Sequence, residues 1–256
     1  MRKKIVVIIP ARMAASRFPG KPLANIAGLP MIEHVRRRAS LCTFLDGVYV
    51  ATCDDEIRRV VESHGGKVIM TSPAHERCSD RVEEAASGLD ADIVVNVQGD
   101  EPLILPESVQ DVANPLDERD DLLCSCLIYP ITDSSELGNP NIVKAILDRN
   151  HRVMYLSRAS IPFFKVKESC PLYKESGVRA FEREFLHTYA KLPPTPLERV
   201  ESVDMMRVLE HGYTLQGVVT PHVTVGVDIP GDVARVEEAL RKDGTQRALH
   251  ERILKL

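Results

Sequence analysis

The chain has 256 residues, 44% of them hydrophobic, with a formal net charge of -4. That balance argues against a general nucleic-acid binder, whose footprint is basic, while leaving room for a local basic pocket. No stretch approaches the roughly 18 apolar residues of a membrane span, and the run after the basic start is too short for a signal segment; the expectation is a soluble, cytoplasmic protein.

Trp is absent and aromatics make up 5% of the chain, so the core is expected to be aliphatic. The six cysteines, at 42, 53, 78, 124, 126 and 170, form no CxxC pair. Zinc-ligand spacing is therefore missing, and reduced core thiols are the reading.

Residues 4–9 predict a buried parallel strand, because the run is apolar rather than alternating. A loop follows with three cations, Arg12, Arg17 and Lys21, and Gly20 beside the last. It is neither a Walker A loop nor a GxGxxG fingerprint. A strand, a basic glycine-bearing loop and then a helix suit a polyphosphate: backbone N–H groups point inward and fixed cations offset its charge. The alternative is a surface loop with solvated cations.

A turn at 25–28 precedes a helix opened by Pro30 and running to about residue 41. Residues 47–52 predict a strand, and Asp54 caps a helix over 55–64 that Gly65 and Gly66 end. Residues 67–70 are a third strand. This is βαβαβ at the spacing of a doubly wound sheet. A helix follows over 82–89, capped by Ser79 or Asp80, and then a strand over 93–97. Gln98, Gly99 and Asp100 sit at that strand's carboxyl end, where open α/β sheets bind ligands.

Pro106 begins a helix over 107–113, closed by Asn114 and Pro115. Strands are expected over 122–128, 142–147 and 153–158, the last two joined by a hairpin turn at 148–150. Residues 162–172 carry no pattern. A strand over 176–181 and a helix over 182–190 come next. Thr195 caps a helix over 197–211 with Glu198 as its box partner, and Gly212 ends it. Strands over 215–219 and 223–227 and a helix from Asp232 to about residue 242 complete a single domain, 1–243. It contains an antiparallel excursion over about 139–225, and 244–256 is a C-terminal tail, an appended helix or a frayed end. The expected fold is α/β, doubly wound and mostly parallel, with a small antiparallel subregion.

Asp100 and Asp228 both follow apolar strands. Two aspartates at the carboxyl ends of strands in one sheet can converge beside a triphosphate, and Mg²⁺ takes one or two carboxylates plus phosphate oxygens. Asp100 could instead form a turn, and Asp228 could cap a helix. Glu101 competes with Asp100, and spacing does not separate them.

The segments at 8–12 (IIPAR), 16–23 (SRFPGKPL), 97–102 (VQGDEP), 139–144 (NPNIVK), 157–162 (SRASIP) and 226–230 (GVDIP) resemble, in order, the 3-deoxy-manno-octulosonate (Kdo) cytidylyltransferase family. The resemblance implies a nucleotidyltransferase fold of the glycosyltransferase-A type and a homodimer. It also implies CTP plus a sugar acid giving a CMP-sugar and pyrophosphate, with Mg²⁺. By motif, Lys21, Arg12 and Asp100 would be catalytic, and Asp100 and Asp228 would hold metal. Ala11, Arg12, Arg17, Lys21, Arg77, Cys78, Ser79, Asp80 and Gln98 would surround the nucleotide. Arg158, Glu175, Arg179, Glu201, Asp204 and Met205 would surround the acceptor, with Arg158 facing its carboxylate.

The chain departs from that family at three places. Arg77-Cys78-Ser79 stands for Ser-Gly-Thr, Glu175 for a histidine and Arg179 for a tyrosine, and Met205 for a glutamine. The histidine and glutamine belong to the family's sugar contacts. The acceptor is thus either Kdo or another acid: a different ulosonic acid, an amino-substituted Kdo, or a phosphonate answered by Arg179. A nucleotide-binding protein without turnover, and a uridylyl- or thymidylyltransferase on a similar fold, are further alternatives.

Overall fold

The computed structural model describes residues 2–14, 17–75, 77–166 and 170–256. Ser16 of the basic loop and Glu76 lie outside them. The chain divides into two compact units, 1–110 with 224–256 and 111–223, a finer division than the one body expected from sequence. Among the described residues no helix is long and apolar enough to cross a membrane.

In the first unit, β1 (Ile5–Ala11) is buried at every position. The chain then makes a 3₁₀ turn at Lys21–Leu23 and a two-residue hairpin, β2 (Asn25–Ile26) with β3 (Leu29–Pro30). Helix α1 (Met31–Ser40) packs Met31, Ile32, Val35 and Ala39 inward. β4 (Gly47–Thr52), α2 (Asp55–Ser63), β5 (Lys67–Met70), α3 (Cys78–Ser87) and β6 (Ile93–Asn96) follow. β6, β1, β4 and β5 lie side by side, all parallel. Residues 12–24, 71–77 and 97–100 therefore leave the carboxyl edge of that sheet, the edge at which such sheets present ligands.

Helix α4 (Pro106–Glu118) runs through Pro115 instead of stopping at it. The proline forfeits one backbone bond, but Val112, Ala113 and Leu116 are all buried and Arg119 still donates to the Pro115 carbonyl at 3.1 Å. Apolar burial across the proline outweighs the lost bond.

The second unit is built on β7 (Cys124–Pro130). β10 (Tyr173–Glu182) pairs with it antiparallel and β11 (Gln216–Val219) parallel, while β8 (Lys144–Leu147) and β9 (Val153–Ser157) form the expected hairpin. Asp148 fixes the hairpin's turn by accepting the Asn150 and Arg152 N–H groups, each at 2.8 Å. β10 is longer than its sequence suggested, reaching back to Tyr173 through a register shift between Glu175 and Arg179. Helix α5 (Arg183–Lys191) is capped by Glu182, which accepts the Phe185 N–H at 2.7 Å.

The single helix expected over 197–211 is two, α6 (Pro196–Glu201) and α7 (Met206–Glu210). Ser202 adopts a left-handed backbone, φ 53°, which ends the first turn set. The Thr195–Glu198 capping box is present. Glu198 also forms a buried, two-pronged pair with Arg207, at 2.7 and 2.9 Å.

Residues 223–227 are not a strand. Within the first unit, the Val227 N–H donates to the Asp100 carbonyl at 2.9 Å, one bond where a strand needs a ladder, and Val223 is exposed. The chain ends with α8 (Asp232–Lys242) and α9 (Gly244–Ile253), the latter covering the residues expected as a tail. Asp243 caps α9, and Gln246 is buried between Arg38 (2.8 Å) and the Leu103 carbonyl (3.0 Å). None of the six cysteines forms a disulfide among the described residues; Cys42, Cys124 and Cys126 are core residues and Cys170 is exposed.

His34 on α1 is fully buried, bonds the Ile26 carbonyl at 2.7 Å and stacks on His250 of α9. Burial, with the nearby charges of Arg38, His250 and Arg37, pulls its pKa from 6.5 down to about 4. A depressed base contributes stability that is present above pH 6.5 and lost as pH falls toward 4, because the unfolded chain takes up the proton first. Thermal unfolding from pH 7.5 to pH 4 is expected to show a steeper fall for the native chain than for His34→Gln.

Candidate active site

The first unit holds a cavity of about 300 Å³ lined by described residues between Pro10 and Pro22, by His75, Arg77, Cys78 and Arg81, by 98–100 and by Asp228. Loop closure begins with backbone geometry. Gly20 sits at φ 72°, a left-handed position that starts the 3₁₀ turn carrying Lys21. Asp54 stands at the N-terminus of α2, but its carboxylate accepts the Met13 N–H at 2.8 Å instead of capping the helix. The start of the basic loop is thereby tied to the end of β4. Gly99 is needed for close approach, since a Cβ there would lie 2.9 Å from the Pro10 carbonyl oxygen.

The far end of the loop is fixed by packing. Phe18 rests on a buried cluster of Ile26, Met31, Leu103, Val227, Val236 and Leu240. Val227 belongs to that cluster, so the following Asp228 is carried to the cavity by a core residue. Lys21 Nζ donates to Asp100 Oδ2 at 2.6 Å and to the Val227 carbonyl at 2.9 Å, and Arg17 donates to Asp228 Oδ1 at 2.9 Å. The early cations and the two distant aspartates thus share one cleft. Asp228 caps nothing; the Asp228 and Ile229 N–H groups go to Asp232.

Ala11, Arg12, Arg17, Lys21, Arg77, Cys78, Gln98, Asp100 and Asp228 line the cavity as the motifs suggested. Ser79 and Asp80 do not. Cys78 opens α3 and Arg77 precedes it, so Ser79 falls inside the first turn with its side chain buried, and Arg81 reaches the cavity instead. Neither Ser79 nor Asp80 is the cap. His75 also lines the cavity, three residues before Cys78.

Charge is concentrated here. Arg12, Arg17, Lys21, Arg77 and Arg81 face two lining carboxylates. Glu101 stands behind them, bonded to Thr224 Oγ1 at 3.2 Å. Burial first, and then the charges of Asp100 and Asp228, push its pKa up to about 8. Asp100 and Asp228 offer hard carboxylate oxygens of the kind Mg²⁺ takes. Among the described residues no group of three or more His, Cys, Asp and Glu forms a ready-made metal cage. The donor set fits an ion that takes two carboxylates and completes its shell with phosphate and water.

In the second unit the expected acceptor residues are largely bonded to one another. Arg158 spends its guanidinium on carbonyls, of Glu201 (2.7 Å), Pro140 (3.0 Å) and Ser202 (3.2 Å). It clamps two turns instead of offering a fork to a carboxylate. Glu201 accepts from Ser157 Oγ at 2.7 Å and the Arg158 N–H at 2.9 Å, bonds that hold its carboxyl below the usual range against burial. Arg179 Nε donates to Glu175 Oε1 at 2.8 Å and Nη1 lies 3.7 Å from Asp204. The guanidinium expected to answer a second anion therefore faces two carboxylates. Met205 is fully buried, a core residue.

A parallel sheet with a cation-rich cleft and paired aspartates at its carboxyl edge defines a nucleotidyltransferase. The sequence profile of the cytidylyltransferase family matches residues 6–217, and the chain belongs to that family. It is 43% identical to a 3-deoxy-manno-octulosonate cytidylyltransferase of Syntrophus aciditrophicus (strain SB), over 93% of this chain and 98% of that one. It is also 43% identical to an 8-amino-3,8-dideoxy-manno-octulosonate cytidylyltransferase of Shewanella sediminis (strain HAW-EB3), over 93% and 99%. A solved CMP:2-keto-3-deoxy-manno-octonic acid synthetase complexed with CTP superimposes with a TM-score of 0.90 at 34% identity, over 94% and 99% of the two chains.

Proposed function

We propose that this protein transfers CMP from CTP to a 3-deoxy-octulosonic acid, most simply Kdo, releasing pyrophosphate. The observation that carries this reading is Lys21 held between Asp100 and the Val227 carbonyl in a cleft that also gathers Arg12, Arg17 and Asp228. The names of the relatives and the CTP in the related structure support the same choice.

In this reading Arg12, Arg17 and Lys21 bind the triphosphate. The acceptor's anomeric hydroxyl attacks the α-phosphorus, its proton passes to solvent, and the bond to the β-phosphate breaks with pyrophosphate taking the electron pair. No covalent enzyme intermediate forms, so positioning and fixed charge carry the rate. Asp100 and Asp228 would hold Mg²⁺, which would supply further neutralisation of phosphate charge.

A second acceptor, the 8-amino sugar, is favoured by the 43% identity to an 8-amino-3,8-dideoxy-manno-octulosonate cytidylyltransferase. We also assign the chain to the cytoplasm, whose reducing conditions suit its free thiols. Self-association as a homodimer is supported by Met154, Phe163, Val166 and Val200, all more than 60% exposed on the second unit.

The test is pyrophosphate release with CTP and Mg²⁺ across Kdo, its 8-amino analogue and unrelated acids. Turnover confined to one ulosonic acid names the acceptor, and CTP binding without turnover on any of them removes the proposal. Asp100→Asn is expected to abolish release while circular dichroism stays native. Near-full activity of that variant at saturating Mg²⁺ takes Asp100 out of the metal role.

A further inference from the structure

The loop that carries Asp100 runs from the end of β6 to the start of α4 at Pro106. Its near end is fixed by the site itself. The Val227 N–H donates to the Asp100 carbonyl at 2.9 Å, and Lys21 donates to the Asp100 carboxylate at 2.6 Å. Its far end is fixed by the C-terminal helix. Gln246 Nε2 donates to the Leu103 carbonyl at 3.0 Å, while Gln246 Oε1 accepts from Arg38 Nη1 at 2.8 Å. The Ile104 N–H donates to the Glu101 carbonyl at 3.1 Å, so a tight turn links the two ends.

The Gln246 amide is itself held in place. Asp243 accepts the Gln246 N–H at 3.0 Å and so sets the first turn of α9. Farther along α9, Leu249 and Ile253 are buried, His250 stacks on His34, and Arg37 donates to the Ile253 carbonyl at 2.8 Å. The helix is thus fixed against α1 while Gln246 extends to the loop. Arg38 is fully buried. Among the described residues its hydrogen bonds go to that amide and, at 3.5 Å, to the Ile104 carbonyl, with no carboxylate. A cation bonded to the amide oxygen strengthens the amide N–H as a donor.

Resting on the transferase reading above, we infer that Gln246, polarised by Arg38, is a positioning residue for the reaction: it anchors the loop at Leu103 so that Asp100 keeps its place against Lys21. The segment expected as a tail therefore reaches the chemistry through two hydrogen bonds. Small displacements of a positioned group are costly, and that is where the effect is sought.

Gln246→Glu separates the two bonds. Its carboxylate still accepts from Arg38, now as an ion pair, but has no N–H for the Leu103 carbonyl. The urea midpoint is expected to be native or higher. Amide hydrogen exchange over 98–105, measured without nucleotide or metal, is expected to speed up by about tenfold, most clearly at Ile104. With CTP, Mg²⁺ and the acceptor that the native chain turns over, kcat is expected to fall by about tenfold, with KM for CTP changed less. A role in folding alone would leave exchange and kcat native, because stability is kept. Gln246→Met, of similar volume, loses both bonds and should show the same loosening with lower stability. A folded Gln246→Glu chain with native exchange over 98–105, or with native kcat, overturns the inference; if that variant does not fold, the same two readings on Gln246→Met decide. A native chain that releases no pyrophosphate overturns the transferase reading instead, and the substrate-free exchange comparison still decides the anchoring.

Discussion

Lys21→Met is expected to lower kcat/KM for pyrophosphate release by about 10² to 10³, the loss that follows removal of one fixed charge partner from a transition state. Lys21 is largely buried, and its ammonium is bonded to Asp100 and the Val227 carbonyl. Methionine keeps most of the stem's volume and removes the charge. Asp100 then stands beside Asp228 with Glu101 behind, and the cleft loses a cation where charge builds on the departing pyrophosphate. Asp100 is about one third exposed, so water can solvate it and the fold should survive. Steady-state kinetics alongside an unfolding curve separate the two effects. A variant with native kcat/KM removes Lys21 from the machinery.

The second large effect is on stability. Arg207→Met is expected to cost about 3–5 kcal/mol, the penalty for stranding a buried charge. Arg207 and Glu198 are 3% and 2% exposed, joined by two charge-assisted bonds. Arg207 also lies over the Tyr189 ring at 5.1 Å and donates to the Leu192 carbonyl at 3.3 Å. Without it, the Glu198 carboxylate loses both guanidinium bonds while still accepting the Thr195 N–H at 3.1 Å, its own half of the capping box. Urea unfolding measures the loss. Adding Glu198→Leu should restore most of it, less the cap, because two apolar side chains of similar volume do not carry the unpaired charge. A double variant as unstable as Arg207→Met would mean that packing, and not charge, sets the cost.

Much of this could be read from the sequence, where local chemistry decides structure. The apolar runs at β1 and β6 need only burial on both faces, and these two with the more exposed β4 and β5 were each placed to within two residues. The meeting of Lys21 with Asp100 followed from a strand end at the ligand edge, whereas Arg17 meets Asp228 although the residues before Asp228 form no strand. What escaped depends on partners far along the chain. Asp54 has the residue type and position of a cap, yet Met13 claims its carboxylate. Arg179 looks available on an alternating strand until Glu175 and Asp204 close on it. Glu84 carries no motif at all, and its hold on His75 exists only once α3 lies against the loop after β5.

The chain leaves the first unit at residue 110 and returns to it at 224. During synthesis Lys21 and Asp100 therefore emerge long before Val227 and Asp228, which they and Arg17 depend on. The cluster beneath Phe18 also waits for Val227, Val236 and Leu240. A nascent polypeptide halted before residue 224 would expose Ile26, Met31 and Leu103 and have no finished cleft. The stretch that returns at residue 224 is thus the keystone, and no fragment ending before it can carry the assembled site.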